Sequence, residues 1–285
     1  MVSSILNADL HCHSVVSDGT LTPEQLAARA SANGVELWAL TDHDEVGGQQ
    51  RAVAAAHANG MQYLTGTEIS VTFAGETVHI VGLGFDATDP RMVQGLQRTR
   101  GGRGERAREM AEGLARVGIP GAYEGALKFV GNPELVSRTH FARFLVESGV
   151  CHDTHEVFRK YLTEGKPGFV AHRWANLAEA VGWITQAGGV AVIAHPGRYN
   201  FTANEEYALF TEFKAHGGRA VEVVTGSHSA AEYVEYAGVA REFELAASRG
   251  SDFHSPTESR IDLGTLPFLP GDLTPVWDLL TNRIQ

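Results

Sequence analysis

Short apolar runs alternate with segments of helical character over most of the 285-residue chain. The apolar runs have the length and composition of buried strands. Strands that alternate with helices predict βα units and an α/β fold. We expect about seven strands, over Ile5–Leu10, VELWAL (35–40), MQYLTGTEIS (61–70), ETVHIVGLG (76–84), GGVAVIAHPGRY (188–199), AVEVVTGSH (220–228) and GSDFH (250–254).

Capping signals mark the start of two of the predicted helices. Thr22 can cap a helix that has Pro23 in its first turn and Gln25 at the capping-box position, and Gly34 should end it. Asn176 and Glu179 repeat the capping-box pattern. A further helix is expected at about 46–58, between the second and third apolar runs.

The alternation stops in the middle of the chain. Residues 90–161 contain several helix-like segments, broken at GIPG and GNP, and an Arg-rich stretch, RTRGGRGERARE. We therefore expect two units: a barrel formed by residues 1–90 and 167–285, and a helical insertion over 91–166 that covers the substrate.

Charge separates the same two units. The chain carries a net charge of −11, yet the segment 91–166 has 13 Lys and Arg against 9 Asp and Glu. An acidic body suits metal cations and argues against binding to duplex DNA through a basic face, whereas a basic insertion suits an anionic substrate. No apolar run reaches the length of a membrane span and no signal peptide opens the sequence, so a cytoplasmic protein is expected. Its two cysteines, Cys12 and Cys151, predict no disulfide framework.

Metal-binding residue types lie where the predicted strands end. His11 and His13 follow the first strand, and their spacing places both side chains on one face, with Cys12 on the other. Two such imidazoles can bind one metal ion. In a βα barrel the carboxyl ends of the strands form the active site. The same pattern continues along the chain at His43, Glu68, His79, His195, Asp252 and His254.

In their order and local context these motifs resemble the polymerase and histidinol phosphatase (PHP) family over residues 8–254. The motifs are DLHCHS…SDG, TDHD, GTEIS, VHIVG, AHPGR and GSDFH. The resemblance implies a distorted seven-stranded (β/α)7 barrel, similar to a TIM barrel, that holds three divalent metal ions. Manganese is expected first, with zinc or iron as alternatives that the ligand chemistry does not separate.

The resemblance also implies which residues bind each ion. One ion would be held by His11, His13, Glu68 and Asp252; a second would share Glu68 and be held by His79 and His195; a third would be held by Asp18, His43 and His254. Glu68, His195 and Asp252 would also be the catalytic residues. Asp18 is His in some branches of the family.

The insertion narrows the expected activity. SRTHFARFLVESG (137–149) and FRKYLTEGKPGFV (158–170) resemble the branch of nucleoside 3′,5′-bisphosphate phosphatases and the ribonuclease RNase AM. The resemblance implies substrate-phosphate contacts from Arg138, His140, Lys166 and Arg198. Arg103 and Arg106 are equally compatible with a solvated turn and with a substrate contact.

The expected enzyme is therefore a metal-dependent phosphatase that removes the 3′-phosphate of a nucleoside 3′,5′-bisphosphate such as pAp. Clustered ions suit this chemistry because they lower the pKa of water and stabilise the leaving oxygen. A 5′→3′ exoribonuclease acting on short RNA, a histidinol-phosphate-type phosphatase and a non-enzymatic accessory module of a polymerase are the alternatives. We expect the monoester to be the better substrate, because no aromatic-rich platform for a longer strand is evident in the sequence.

Overall fold

The computed structural model describes residues 6–285, which form eight strands in two sheets. The first sheet is parallel, in the order β1 (Ala8–Asp9), β2 (Leu37–Trp38) and β3 (Gln62–Tyr63). The second sheet is mixed and follows chain order: β4 (Gly66–Phe73), β5 (Glu76–Leu83), β6 (Val190–Ile193), β7 (Ala220–Thr225) and β8 (Ala246–Gly250). Ile5, where we expected the first strand to begin, lies outside the described residues.

Ten α-helices connect these strands within residues 6–285. They are α1 (Pro23–Ala32), α2 (Gln49–Ala58), α3 (Pro90–Arg100), α4 (Arg103–Arg116), α5 (Ala122–Leu127), α6 (Arg138–Glu147), α7 (Thr154–Val157), α8 (Leu177–Gln186), α9 (Ala203–Ala215) and α10 (Ala230–Glu242). The capping boxes predicted at Thr22 and Asn176 are both formed. None of the described helices combines the length and the apolar character that crossing a membrane requires.

The two sheets meet at both of their edges. The Leu10 amide donates to the Arg249 carbonyl at 3.0 Å, and the Asp252 amide donates to the His11 carbonyl at 2.8 Å. At the other edge His43 and Glu68 form an isolated parallel bridge. These contacts bring the ends of the strands together around one central point, and the α/β class is confirmed.

Three predicted elements differ from the structure. The run MQYLTGTEIS contains two strands, β3 and β4, because the chain changes sheets between Tyr63 and Gly66, and this gives eight strands where seven were expected. β4 and β6 both pair antiparallel with β5, so the βα repeat is interrupted there. GSDFH was wrong as a strand: β8 is the preceding AASRG, and at Asp252 the backbone turns with a φ of 54°.

The segment that contains α3 to α7 is helical, as expected, and α4 to α7 have a hydrophobic core of their own. Met110, Leu114, Phe141 and Leu145 are buried in that core. A second core packs α8, α9 and α10 against the larger sheet. Cys12 and Cys151 are both buried free thiols.

Candidate metal centre

All nine predicted ligands lie in one cluster at the ends of the strands. His11 and His13 come just after β1 and are fully buried, with their Nε2 atoms 3.2 Å apart. Cys12, between them, turns away and accepts a hydrogen bond from Trp38 Nε1. The alternation predicted from the H-x-H spacing therefore holds beyond the end of the strand.

The first donor group surrounds one oxygen of Glu68. Oε2 of Glu68 lies 3.4 Å from His11 Nε2 and 3.3 Å from His13 Nε2. Oδ1 of Asp252 lies 3.5 Å and 3.2 Å from the same two nitrogens. Both nitrogens therefore lie within 3.5 Å of one carboxylate oxygen of Glu68 and one of Asp252.

The second group uses the other oxygen of Glu68. Oε1 lies 2.9 Å from His79 Nδ1 and 2.9 Å from His195 Nε2. The two imidazole nitrogens are 3.4 Å apart. Because each Glu68 oxygen faces a different group, this carboxylate is placed to bridge two ions.

The third group is looser and adjoins the other two. Oδ1 of Asp18 lies 3.8 Å from His43 Nε2 and 3.5 Å from His254 Nε2. The remaining nitrogen of His13, Nδ1, is 4.0 Å from Asp18 Oδ1. His43 Nδ1 is also 2.9 Å from Oε2 of Glu68, so His43 lies between groups.

The donor sets fit divalent metal ions. Donors about 2.1 Å from a shared ion lie about 3.0–3.4 Å from one another in octahedral or tetrahedral geometry, close to the separations in the first two groups. Two donor atoms are also buried without a hydrogen-bond partner inside residues 6–285: His13 Nδ1 and Asp18 Oδ1. A buried carboxylate oxygen without a partner is costly, and coordination of a cation would satisfy it.

The pKa values of the clustered residues also favour metal binding. Burial alone would raise the pKa of Glu68, but the neighbouring His79 and His43 hold it well below its usual range. Burial lowers the pKa of His79 and of His254 to about 4. The pKa of His13 is shifted in the opposite direction. Burial would lower it, but the Asp252 and Glu68 carboxylates raise it to about 10. A divalent cation would replace the proton that these carboxylates hold on the imidazole.

Two of the candidate ligands have strained backbone conformations. His195 has a φ of 27° and Asp252 a φ of 54°, both in the left-handed region that side chains other than glycine rarely adopt. Such conformations persist where surrounding contacts enforce them, and they are concentrated at functional sites.

Sequence reasoning missed the residues that support the cluster. Glu222 lies in the apolar run AVEVVT and accepts from His11 and from the backbone of His195. Asp42 accepts from Ser14 and Ser17, and it thereby fixes the loop that carries Asp18. A lone carboxylate inside a buried strand is the signal that could have revealed Glu222.

Four arginines line the cavity that opens above the cluster. The cavity has a volume of about 110 Å³, and the candidate ligands Asp18, His43, Glu68, His79, Asp252 and His254 form its floor. Its other walls carry Arg103, Arg106, Arg138 and Arg198. Basic side chains facing a metal-binding floor are suited to an anionic substrate.

Three of these arginines form hydrogen bonds or ion pairs with other residues of the protein. Arg103 pairs with the buried carboxylate of Asp44, and Arg106 Nε donates to the Val170 carbonyl. Arg198 Nη1 donates to Asp252 Oδ2 at 2.8 Å. Arg103 and Arg106, which the sequence left open, therefore lie in the cavity wall and not in a solvated turn.

The two other predicted substrate contacts are placed differently. His140 is buried under the cavity, where its Nδ1 accepts from the Ser137 amide, and Ser137 Oγ donates to Asp18. Lys166 is exposed and is absent from the described residues that line the cavity. The geometry therefore supports His140 as a neighbour of the site and gives no support to a phosphate contact by Lys166.

Aromatic side chains that the sequence did not single out also line the cavity. Trp174 lies under the guanidinium groups of Arg103 and Arg106, at 4.5 and 5.4 Å from its ring. Phe158 and Arg138 also line a neighbouring cleft of about 480 Å³, together with Phe169 and Tyr199. These rings lie beside the site, and whether they form a stacking platform for a longer strand stays a prediction.

The known proteins most informative about this chain are curated bacterial enzymes. It is 50% identical over 278 residues, 98% of each chain, to a 3′,5′-nucleoside bisphosphate phosphatase of Chromobacterium violaceum. It is 43% identical over 270 residues to a 5′-3′ exoribonuclease of Haemophilus influenzae, covering 95% of this chain and 97% of the relative.

Solved structures share the fold. One from Chromobacterium violaceum, described as an amidohydrolase with bound sulfate and no metal, has a TM-score of 0.95 at 50% identity and covers 98% of this chain and 97% of its own. One from Bifidobacterium adolescentis, described as a metal-dependent phosphoesterase, has a TM-score of 0.81 at 26% identity, covering 97% and 96%. The PHP domain description matches residues 9–97, the segment that carries six of the nine candidate ligands. Identity to curated relatives over nearly the whole length, together with this match, shows that the chain belongs to the PHP family of metal-dependent phosphoesterases.

Proposed function

We propose that the protein hydrolyses the 3′-phosphate of nucleoside 3′,5′-bisphosphates such as pAp, and releases the 5′-nucleotide and inorganic phosphate. The observation that carries the proposal is the single cavity in which the metal-binding cluster faces four arginines. A substrate with two phosphates needs two anion sites a nucleoside apart, one reactive and one that only binds. The relative at 50% identity is named for this substrate class.

In this proposal the nine clustered residues hold three divalent ions in the three donor groups described above, with manganese first and zinc or iron as alternatives. When bound, such ions lower the pKa of water and neutralise charge on the phosphoryl oxygens. Glu68 would supply a donor oxygen to each of two neighbouring groups. His195 and Asp252 complete the donor groups on either side of it and so fix where the reacting phosphoryl group lies.

The arginines of the insertion bind the phosphate that does not react. Burial and the nearby charges of Arg138 and Arg103 lower the pKa of Arg106 to about 9. Burial, followed by the charges of Arg198 and Arg103, likewise lowers the pKa of Arg138. Cations that repel one another in a partly buried wall are stabilised by an anion between them.

This arrangement sets which bond is cleaved. With the 5′-phosphate at Arg138, Arg103 and Arg106, the 3′ side of the nucleotide faces the metal cluster. Arg198 lies between the two regions because it is bonded to Asp252 and also lines the cavity. In this proposal the helical segment 91–166 is the substrate lid of a distorted (β/α)7-type barrel formed by residues 1–90 and 167–285.

The exoribonuclease activity is a second candidate, and one observation favours it. The cavity shares Thr77, His79, Arg138, Phe158 and Arg198 with the larger cleft beside it. A 3′-phosphodiester bound in the same orientation could extend its next nucleotide along that cleft, where Phe169 and Tyr199 offer rings for stacking. Two relatives at 43% and 41% identity are named as 5′-3′ exoribonucleases.

The experiment compares phosphate release from pAp, 3′-AMP, 5′-AMP and histidinol phosphate, and nucleotide release from a short 5′-phosphorylated RNA, with manganese supplied. The proposal predicts fast conversion of pAp to 5′-AMP, no further hydrolysis of 5′-AMP, and slow hydrolysis of 3′-AMP for lack of the bound 5′-phosphate. Equal rates on all three adenosine phosphates would contradict the proposed orientation. Faster cleavage of RNA than of pAp would make the second candidate the main activity.

A further inference from the structure

Glu222 is a buried carboxylate outside the nine candidate ligands. It lies on β7 between Val221 and Val223, and only 1% of its surface is exposed. Burying an ionised carboxylate among apolar residues is costly unless both of its oxygens are bound. Both are bound here, and both partners belong to candidate ligands.

The first partner is the ring of His11. Oε1 of Glu222 is 2.8 Å from His11 Nδ1. A carboxylate can only accept, so Nδ1 must carry a proton, and in the neutral ring that binds a metal ion Nε2 then keeps its lone pair. That Nε2 faces Glu68 Oε2 and Asp252 Oδ1 in the first donor group. Glu222 therefore sets the tautomer and the ring orientation that a metal ligand requires.

The second partner is the backbone of His195. Oε2 of Glu222 accepts from the His195 amide at 2.6 Å. His195 has a φ of 27° and ψ of 58°, a strained conformation that this bond helps to hold. From that position His195 Nε2 reaches Glu68 Oε1 in the second donor group.

An irregularity in the sheet lies next to Glu222. The register between β7 and β8 shifts between Glu222 and Val224, as in a β-bulge. Bulges re-aim side chains and are common beside active sites. The bulge lies directly after Glu222, where the strand would otherwise continue its regular pairing with β8.

We propose that Glu222 is a positioning residue that couples the first and second metal sites, because it binds one candidate ligand of each. This inference rests on the metal binding in the proposed function. One carboxylate orders a ligand of each ion, so its loss weakens both sites together. The third group, Asp18, His43 and His254, has no contact with Glu222 among the contacts of the described residues and is unaffected.

Glu222→Gln tests this coupling. The amide of glutamine has one oxygen, so it can accept from only one partner and turns its NH2 group toward the other. It either forces a proton onto His11 Nε2 or opposes the His195 amide with a second donor. Glu206→Gln on α9 is the matched control: Glu206 accepts from the Tyr236 hydroxyl, and glutamine can do the same.

Equilibrium dialysis against manganese is the readout, with electron paramagnetic resonance to separate coupled ions from single ones. We expect three equivalents in the wild type and in Glu206→Gln. In Glu222→Gln, affinity at two sites should fall about 10–100-fold, the signal of the coupled pair should disappear, and the single-ion signal should remain. Wild-type affinity at all three sites in Glu222→Gln would overturn the inference.

A second variant guards against misfolding. Glu222→Asp keeps the charge, but it is one methylene too short to reach both partners, and it should weaken the same two sites. Circular dichroism without metal checks that each variant is folded, and a chain that unfolds in both would make Glu222 structural and overturn the inference. If the wild type binds no manganese, zinc or iron, the proposed function fails; if it binds three ions and Glu222→Gln binds them with wild-type affinity, only this inference fails.

Discussion

Among the cavity residues, Arg138 is the one whose replacement best separates binding of the non-reacting phosphate from the hydrolysis step. It is the first residue of α6 and lies over the Phe158 ring at 5.8 Å, between the cavity and the adjoining cleft. Unlike Arg103, Arg106 and Arg198, it makes no hydrogen bond through its guanidinium within residues 6–285. Its donors are therefore available to a ligand.

The size of the effect follows from that geometry. A guanidinium binds a phosphate through two charge-assisted hydrogen bonds, each with a net contribution of about 1.5–3 kcal/mol. Arg103 and Arg106 remain after Arg138→Ala and recover part of the loss. We expect a loss of about 2–4 kcal/mol in transition-state stabilisation on pAp, which is about 30- to 900-fold in kcat/KM at 1.36 kcal/mol per factor of ten.

The assay compares kcat/KM for pAp with kcat/KM for p-nitrophenyl phosphate, which has no second phosphate. The fall in kcat/KM should be large on pAp and no more than a few-fold on the monoester. Arg98→Ala is the matched control, since Arg98 lies on α3 in the same segment but stacks on Trp183 outside the cavity. Equal losses on both substrates in Arg138→Ala would place this residue at the reacting phosphoryl group or give it a structural role, and would refute the reasoning.

Three further changes test other parts of the structure. Glu68→Gln removes the bridging charge and should reduce manganese uptake in equilibrium dialysis from three equivalents to one, whereas retention of three would exclude bridging. Gly95→Ala should destabilise the fold by about 1–3 kcal/mol in denaturant titration, because an added Cβ would lie 2.4 Å from the Trp183 ring. Gly238→Ala is the control and should not destabilise the fold, because its Cβ would meet nothing within 4 Å. Inorganic phosphate at about 100 times its Kd should raise the unfolding free energy by about 2.7 kcal/mol, seen as an increase in Tm, and an unchanged Tm would argue against an anion site.

The local features of this fold could be predicted from the sequence. The capping boxes at Thr22 and Asn176 depend on residues three positions apart, and both form as expected. The same-face orientation of His11 and His13 is also a local property of extended chain. The strand at GSDFH was wrong because Ala246 and Ala247 give a weak apolar signal, although both are buried in β8.

The features that were missed depend on long-range contacts. Glu222 is separated from His11 by 211 residues, and its role is visible only once the fold brings β7 against His11 and against the end of β6. The placement of Arg103 in the cavity wall depends on Asp44, 59 residues earlier in the chain. No local periodicity contains information about such pairs.

The positions of the metal ions test the central claim most directly. Crystals grown with manganese and measured at the manganese absorption edge would give anomalous peaks at each bound ion. We expect three peaks: one on each side of the Glu68 carboxylate and one between Asp18, His43 and His254. A single peak, or peaks away from these donor groups, would contradict the central claim.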